Sequence, residues 1–296
     1  MASWVLLNEL SAELGSDDPA GTYRMFADTI STIKRQNAVS LLVSTASLHG
    51  VSLSQAMSLH EWGGQGANRD RWLLLLAALA GPPARCWDIR ESLIDSDAEV
   101  SIAGVSPDTS NAAVCSGSLL ASFDSDPSLR LDDLQATVTR FVGDDLVATE
   151  VLQPHAWCVD GARRILGRQP EVEVPSSGEE LWNRREELFP HLEFLAVARS
   201  EVVGIPESWL RPLTHRLAEL NRVTGAWDRL SSPTPTWESQ VTGESASRRA
   251  QFWFDDGSEQ HLFEMHARFT PGYGRVYFRV VRERGVLRIA HIGEHR

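Results

Sequence analysis

The residues best equipped for chemistry lie near the end of the sequence. Three runs hold them: His266-Ala-Arg-Phe-Thr270, Arg275-Val-Tyr-Phe-Arg279 and His291-Ile-Gly-Glu-His295. Arginine guanidiniums bind phosphate bidentately and stabilise charge that develops at phosphorus. Histidine and tyrosine transfer protons. RNA cleavage needs no metal when the neighbouring 2′-hydroxyl attacks. His266, Arg275, Tyr277 and His291 are therefore the candidate catalytic residues. Arg268, Arg279, Arg288 and His295 are the candidate nucleic-acid contacts. Neither a metal nor a cofactor is expected. The same residues also suit the solvated face of an ordinary sheet, held by cross-strand pairs.

Strands must position these side chains. Alternation places His266, Arg268 and Thr270 on one face of their strand. Arg275, Tyr277 and Arg279 share one face of the next, and Val276, Phe278 and Val280 share the other. The apolar set faces a core, so the polar set is expected on the open face of the sheet. Four strand-like runs build it: Arg249–Phe254, His261–Thr270, Arg275–Val281 and Val286–Ile292, with Gly257, Gly272, Gly274 and Gly285 at the junctions. Upstream, Ser177-Gly-Glu-Glu180 fits a capping box that opens the helix Glu179–Leu188. Pro206–Leu230 carries Trp209, Leu210, Leu213, Leu217, Leu220 and Val223 at helical spacing, and Pro212 predicts a start or a kink there.

This segment resembles RelE/ParE-type toxins. Gly274-Arg-Val-Tyr-Phe-Arg-Val-Val, a short turn, then Val286-Leu-Arg-Ile-Ala-His-Ile-Gly-Glu-His-Arg296 looks like their closing hairpin. The resemblance covers at most Ser177–Arg296, about 40% of the chain. It implies a small sheet with two helices, and messenger-RNA cleavage or gyrase poisoning as the activity. Arg275 matches the strand arginine of the pattern, and His291 and His295 its terminal polar cluster. The toxins are small single domains, whereas this chain sets residues 1–176 in front, in the manner of larger bacterial antiphage-defence proteins. The alternative function is a non-catalytic module that binds nucleic acid or protein within a defence complex.

Other constellations are weaker. Glu264, His266, His291 and His295 lack a recognised zinc spacing. Gly63-Gly64-Gln65 matches the tip of peptide-release factors over three residues only, and a helix-connecting loop explains it. Cys158 with His155 and Asp160 suggests a thiol nucleophile beside a base, against the plainer reading of a small buried cysteine. Trp237, in a polar loop, is placed to stack on a base.

Composition bounds the remaining choices. The chain has 296 residues, 28 basic and 40 acidic, for a net charge of −12. Residues 1–176 hold 12 basic and 23 acidic groups, and His261–Arg296 seven arginines and three acids. A basic end on an acidic protein points to a polyanionic partner, so RNA or another nucleic acid is the expected partner, while the acidic N-terminal region offers a surface for a protein partner. Lys34 is the only lysine, and no GxxxxGK[ST] is present, which excludes a P-loop. Cys86, Cys115 and Cys158 form neither a CxxC clip nor an even set. Met1–Leu10 lacks signal-peptide features, and Trp72–Ala80 is too short to span a membrane, so a cytoplasmic protein without membrane contact is expected.

The expected fold class is α+β in three regions. Residues 1–86 read as helical, with Tyr23, Phe26, Ile30 and Ile33 on one stripe, Asn68–Leu79 as another helix and a boundary near Pro82–Asp88. Residues 87–176 read as short strands (Ala98–Val105, Gly117–Phe123, Leu134–Val142, Asp145–Leu152) separated by turns such as Ser106–Asn111, then a helix over Ala156–Leu166 and an extended linker over Gln169–Ser177. Residues 177–296 read as an antiparallel sheet packed by helices, with a basic face.

Overall fold

The structure is a computed structural model and describes residues 4–36, 41–44, 47–79, 98–106, 108–142, 145–168, 172–238, 241–244, 248–257, 259–270 and 273–294. It is an α+β protein of two compact units, residues 3–170 and 171–296. The division falls within the segment read as a linker. The boundary expected near Pro82–Asp88 lies outside the described residues.

A six-stranded sheet organises the first unit, in the order β2-β1-β6-β8-β7-β5. β1 (Trp4–Leu7) runs parallel to β2 (Leu41–Val43) on one side and β6 (Leu119–Ala121) on the other. β6 is parallel to the last residues of β8 (Asp145–Ala156). β8 forms a long antiparallel hairpin with β7 (Asp133–Val142), which also pairs with β5 (Ala98–Ile102). Residues 1–86 and 87–176 thus share one sheet. The helical reading of residues 1–86 omits β1 and β2. All four residues of β1 are buried, so its sequence has no alternation to mark it as a strand.

Helices cover this sheet. Helix α1 (Leu10–Glu13) follows β1, and α2 (Pro19–Gln36) buries Tyr23, Phe26, Ile30 and Ile33, the stripe read from sequence. A small hairpin, β3 (Ser52–Ser54) with β4 (Met57–Ser58), leads into α3 (Leu59–Gly64). Next come α4 (Arg69–Leu79), α5 (Asp108–Ser116) and α6 (Val159–Gly167). Helix α5 occupies part of the stretch expected to turn. Its Asp and Thr sit in a first helical turn, where the same polar residues that favour turns are also favoured.

In the second unit a five-stranded sheet has the order β10-β13-β14-β15-β9. β13 (Met265–Arg268), β14 (Arg275–Val281) and β15 (Val286–Gly293) form the expected antiparallel core. β10 (Val241–Gly243) extends one edge, and β9 (Leu192–Phe194) joins the other in parallel. Helices α7 (Gly178–Leu188), α8 (Ala198–Val203) and α9 (Glu207–Gly225) belong to the same unit. Ser177 Oγ accepts from Glu180 N–H at 3.1 Å, as a capping box requires. The Glu180 carboxylate reaches back one residue further, to Ser176 N–H. Helix α9 passes through Pro212 rather than starting there.

Two layers sandwich this sheet. Leu213, Leu217 and Leu220 of α9 form one core with Val276, Phe278, Leu287 and Ile289. A second hairpin, β11 (Trp253–Asp255) with β12 (Gln260–Leu262), covers the opposite face through Phe252, Phe254 and Phe263, packed with Tyr277 and Ala290. The strand expected over Arg249–Phe254 is a 3₁₀ turn followed by β11. The one expected over His261–Thr270 is split between β12 and β13, which lie in different sheets.

Candidate active site

Strand register gathers the candidate residues into rows. Tyr277 on β14 lies directly opposite His266 on β13 and His291 on β15, and His266 lies opposite Thr242 on β10. The ring centroids of His266 and Tyr277 are 5.1 Å apart, and those of Tyr277 and His291 are 5.6 Å apart. Arg268 and Arg275 form the neighbouring row, directly opposite each other, with Gly293 beyond Arg275. Arg279 and Arg288 form a third row. His295 lies outside the described residues.

A β-bulge makes the central row possible. Tyr277 pairs with His291, but Phe278 pairs with Ile289, so Ala290 is the extra residue on β15. Strict alternation from Leu287 and Ile289 would send His291 to the helix-packed core. The bulge resets the phase and turns it towards Tyr277.

Carboxylates hold these rings. The Tyr277 hydroxyl donates to Glu244 Oε1 at 2.9 Å. His266 Nδ1 is 3.6 Å from the same oxygen, and its Nε2 lies 2.9 Å from Thr242 Oγ1. His291 Nδ1 is 2.6 Å from Glu201 Oε1, and Nε2 is 3.0 Å from the carbonyl of Glu294. Glu201 also accepts from Ile292 N–H through its other oxygen, at 2.9 Å. Burial first, then the negative charge of Glu244, pushes the Tyr277 hydroxyl far above its ordinary pKa. It therefore acts as a proton donor in hydrogen bonds rather than as a phenolate.

The expected open face is closed. Arg275 and Tyr277 are fully buried, and His266, Arg268 and His291 are nearly so. The reason is the second apolar layer: Phe252 stacks on Tyr277 with ring centroids 4.4 Å apart. Arg279 and Arg288 both bind Asp256, whose side chain is 2% exposed and sits in the turn after β11. Arg288 also donates to Glu193 at 3.0 Å. The third arginine row is thus engaged by carboxylates of its own unit.

Sequence reasoning names the rings and arginines but misses Glu201, Glu244 and Asp256. Glu244 follows an edge strand of three residues inside what reads as a polar loop. Glu201 lies on a six-residue helix. Only Asp256-Gly257 carries a signal, the dipeptide that favours tight hairpin turns.

The remaining sequence candidates have structural roles. Cys158 Sγ accepts from Gly161 N–H at 3.3 Å and caps α6. Asp160 pairs with Arg163, while His155 turns to Ser122 and Leu131. No thiol–base pair is therefore assembled. Gly63 closes α3 where the Trp72 ring leaves only 2.5 Å for a Cβ, which explains the glycine. Trp237 packs with Phe278 on the helix side of the sheet, 5.7 Å between centroids. Among the described residues no cluster of three or more His, Cys, Asp or Glu side chains is arranged to hold a metal, and Glu264 pairs with Arg249. No helix among the described residues is long and apolar enough to cross a membrane.

No protein-family model matches this chain, and no curated protein or solved structure matches it either.

Proposed function

We propose that the C-terminal unit acts on RNA as a metal-independent endoribonuclease. The observation that carries this reading is the row His266–Tyr277–His291, with Arg268 and Arg275 opposite each other in the neighbouring row of the same strands. Two imidazoles flank the Tyr277 ring, and each is oriented by an acceptor or carboxylate, as general acid–base work requires. One histidine takes the proton of a ribose 2′-hydroxyl as its oxygen bonds to phosphorus. The other returns a proton to the departing 5′-oxygen. The products are a 2′,3′-cyclic phosphate and a free 5′-hydroxyl. Arg268 and Arg275 stabilise the extra negative charge at phosphorus. The likeness to RelE/ParE-type toxins supports the same chemistry, with growth arrest or phage defence as its setting. Because the row is buried, RNA enters only after the β11–β12 hairpin moves aside.

The second reading, a non-catalytic nucleic-acid or protein-binding module, is favoured by that same closure, which keeps the row of rings from a substrate. Purified full-length protein incubated with labelled RNA separates the two. Under the nuclease reading, fragments with cyclic-phosphate ends appear, and His291→Gln slows cleavage by about 100-fold or more with an unchanged circular-dichroism spectrum. Intact RNA, bound with a steep salt dependence, rejects the nuclease reading in favour of the binding module.

A further inference from the structure

We infer that the outer edge of β8, which no described strand covers over residues 146–153, is a homodimer interface, formed with the same edge of a second copy of this chain. The strand spans twelve residues, but β6 pairs only with its end, at His155 and Ala156. No described strand lies against the outer edge of residues 146–153. Residues 146–150 and Leu152 are exposed, with Leu146 at 63% and Leu152 at 71%. A long exposed apolar edge is a ready template for another strand.

Backbone geometry states which groups the edge offers. His155 N–H donates to Asp132 O, towards β7, and backbone groups alternate sides along an antiparallel strand. Leu146, Ala148, Glu150 and Leu152 therefore direct N–H and C=O outwards. Pro154, next in that series, has no N–H and ends the donor row where β6 begins.

The sequence of this edge is self-complementary, which identifies the occupant. Leu146-Val-Ala-Thr-Glu-Val-Leu152 is nearly palindromic about Thr149. An isologous contact requires such symmetry, since each residue meets its mirror position in the other copy. An antiparallel pair centred on Thr149 sets outward residues against outward residues, as hydrogen bonding demands. Leu146 then meets Leu152, Val147 meets Val151, and Thr149 meets Thr149. Each Glu150 faces Ala148, so like charges are not opposed. Within its own chain the Glu150 carboxylate already accepts from Thr137 and Gln135. A seven-residue strand pair is smaller than a standard stable interface, so the dimer is concentration-dependent.

Sedimentation equilibrium on the full chain, from about 1 to 100 μM, tests this, bracketing the affinities of small interfaces. A monomer–dimer equilibrium is expected. Thr149→Lys places two cations directly opposite and raises the dissociation constant at least about tenfold, with an unchanged circular-dichroism spectrum because Thr149 is exposed. Thr149→Cys should form a covalent dimer on mild oxidation, since opposed residues of a non-hydrogen-bonded pair lie about 4.5 Å apart, within disulfide reach. Ala148→Cys should not, because it faces Glu150. A protein that stays monomeric throughout, or a dimer that Thr149→Lys leaves unaffected and Thr149→Cys fails to cross-link, overturns the inference.

Discussion

Tyr277 couples the chemistry of the C-terminal cluster to its stability. Its hydroxyl donates to the buried Glu244, and its ring stacks on Phe252. Tyr277→Phe keeps the ring and removes the donor, so it should cost about 1–3 kcal/mol in urea denaturation. An unchanged midpoint would mean that Glu244 is held fully by its other contacts. In the first unit His155 plays a different part. Its Nδ1–H donates to the Leu131 carbonyl at 2.8 Å, which leaves Nε2 to accept from the Ser122 hydroxyl at 2.6 Å. Asn8 Nδ2 in turn donates to Ser122 Oγ at 2.9 Å. Burial, outweighing the backbone contact, pushes His155 down to about 4. The unfolded chain therefore takes up a proton near pH 6.5 that the folded chain refuses until about pH 4. This contribution is intact above pH 6.5 and lost between 6.5 and 4, at up to about 1.4 kcal/mol per pH unit. His215, pushed down to about 3 chiefly by burial, acts in the same direction. Denaturation at pH 7.5 and 5.0 should show the loss, and His155→Gln should flatten part of it.

At the scale of elements, the β11–β12 hairpin decides whether the polar face is a surface or an interior. Burial opposes the charge of Asp256, but Arg288 and Arg279 prevail and hold its carboxyl below the usual carboxylate range. Asp256→Asn leaves two half-buried guanidiniums without their shared anion. It should destabilise the second unit by about 3 kcal/mol. Hydrogen exchange of residues 253–262 should rise more than that of β14 and β15. If the RNA reading holds, cleavage should rise as well, because the cover loosens while the row of rings is untouched. Equal exchange in wild type and variant would show that the apolar contacts of Phe252, Phe254 and Phe263 hold the cover unaided.

At the scale of the whole molecule, each of the two units has a main core of its own. One contains Val5, Phe26 and Leu119, the other Leu217, Phe278 and Ile289. Residues 1–170 and 171–296, expressed separately, should each show a cooperative thermal transition. A fragment 171–296 that fails to fold alone would show that its core depends on the first unit. Should it fold, the same fragment would report whether residues 1–170 restrain any activity on RNA.

The sequence by itself determined what one-dimensional periodicity can encode. The stripe on α2, the run of α9, the limits of β14 and β15, and the face shared by Arg275, Tyr277 and Arg279 all follow from spacings of 3.6 or 2. Tertiary structure alone decided what those faces meet. β1 has no alternation because it is buried on both sides, so only its pairing with β2 and β6 makes it a strand. The bulge at Ala290 reverses the phase that places His291, and no composition rule marks it. Glu201, Glu244 and Asp256 come from a short helix, a strand end and a turn, each distant in sequence from its partners. Above all, the second apolar layer over Tyr277 turned an expected solvated basic face into an interior. Alternation assigns a residue to one side of a sheet but carries no information about what covers that side.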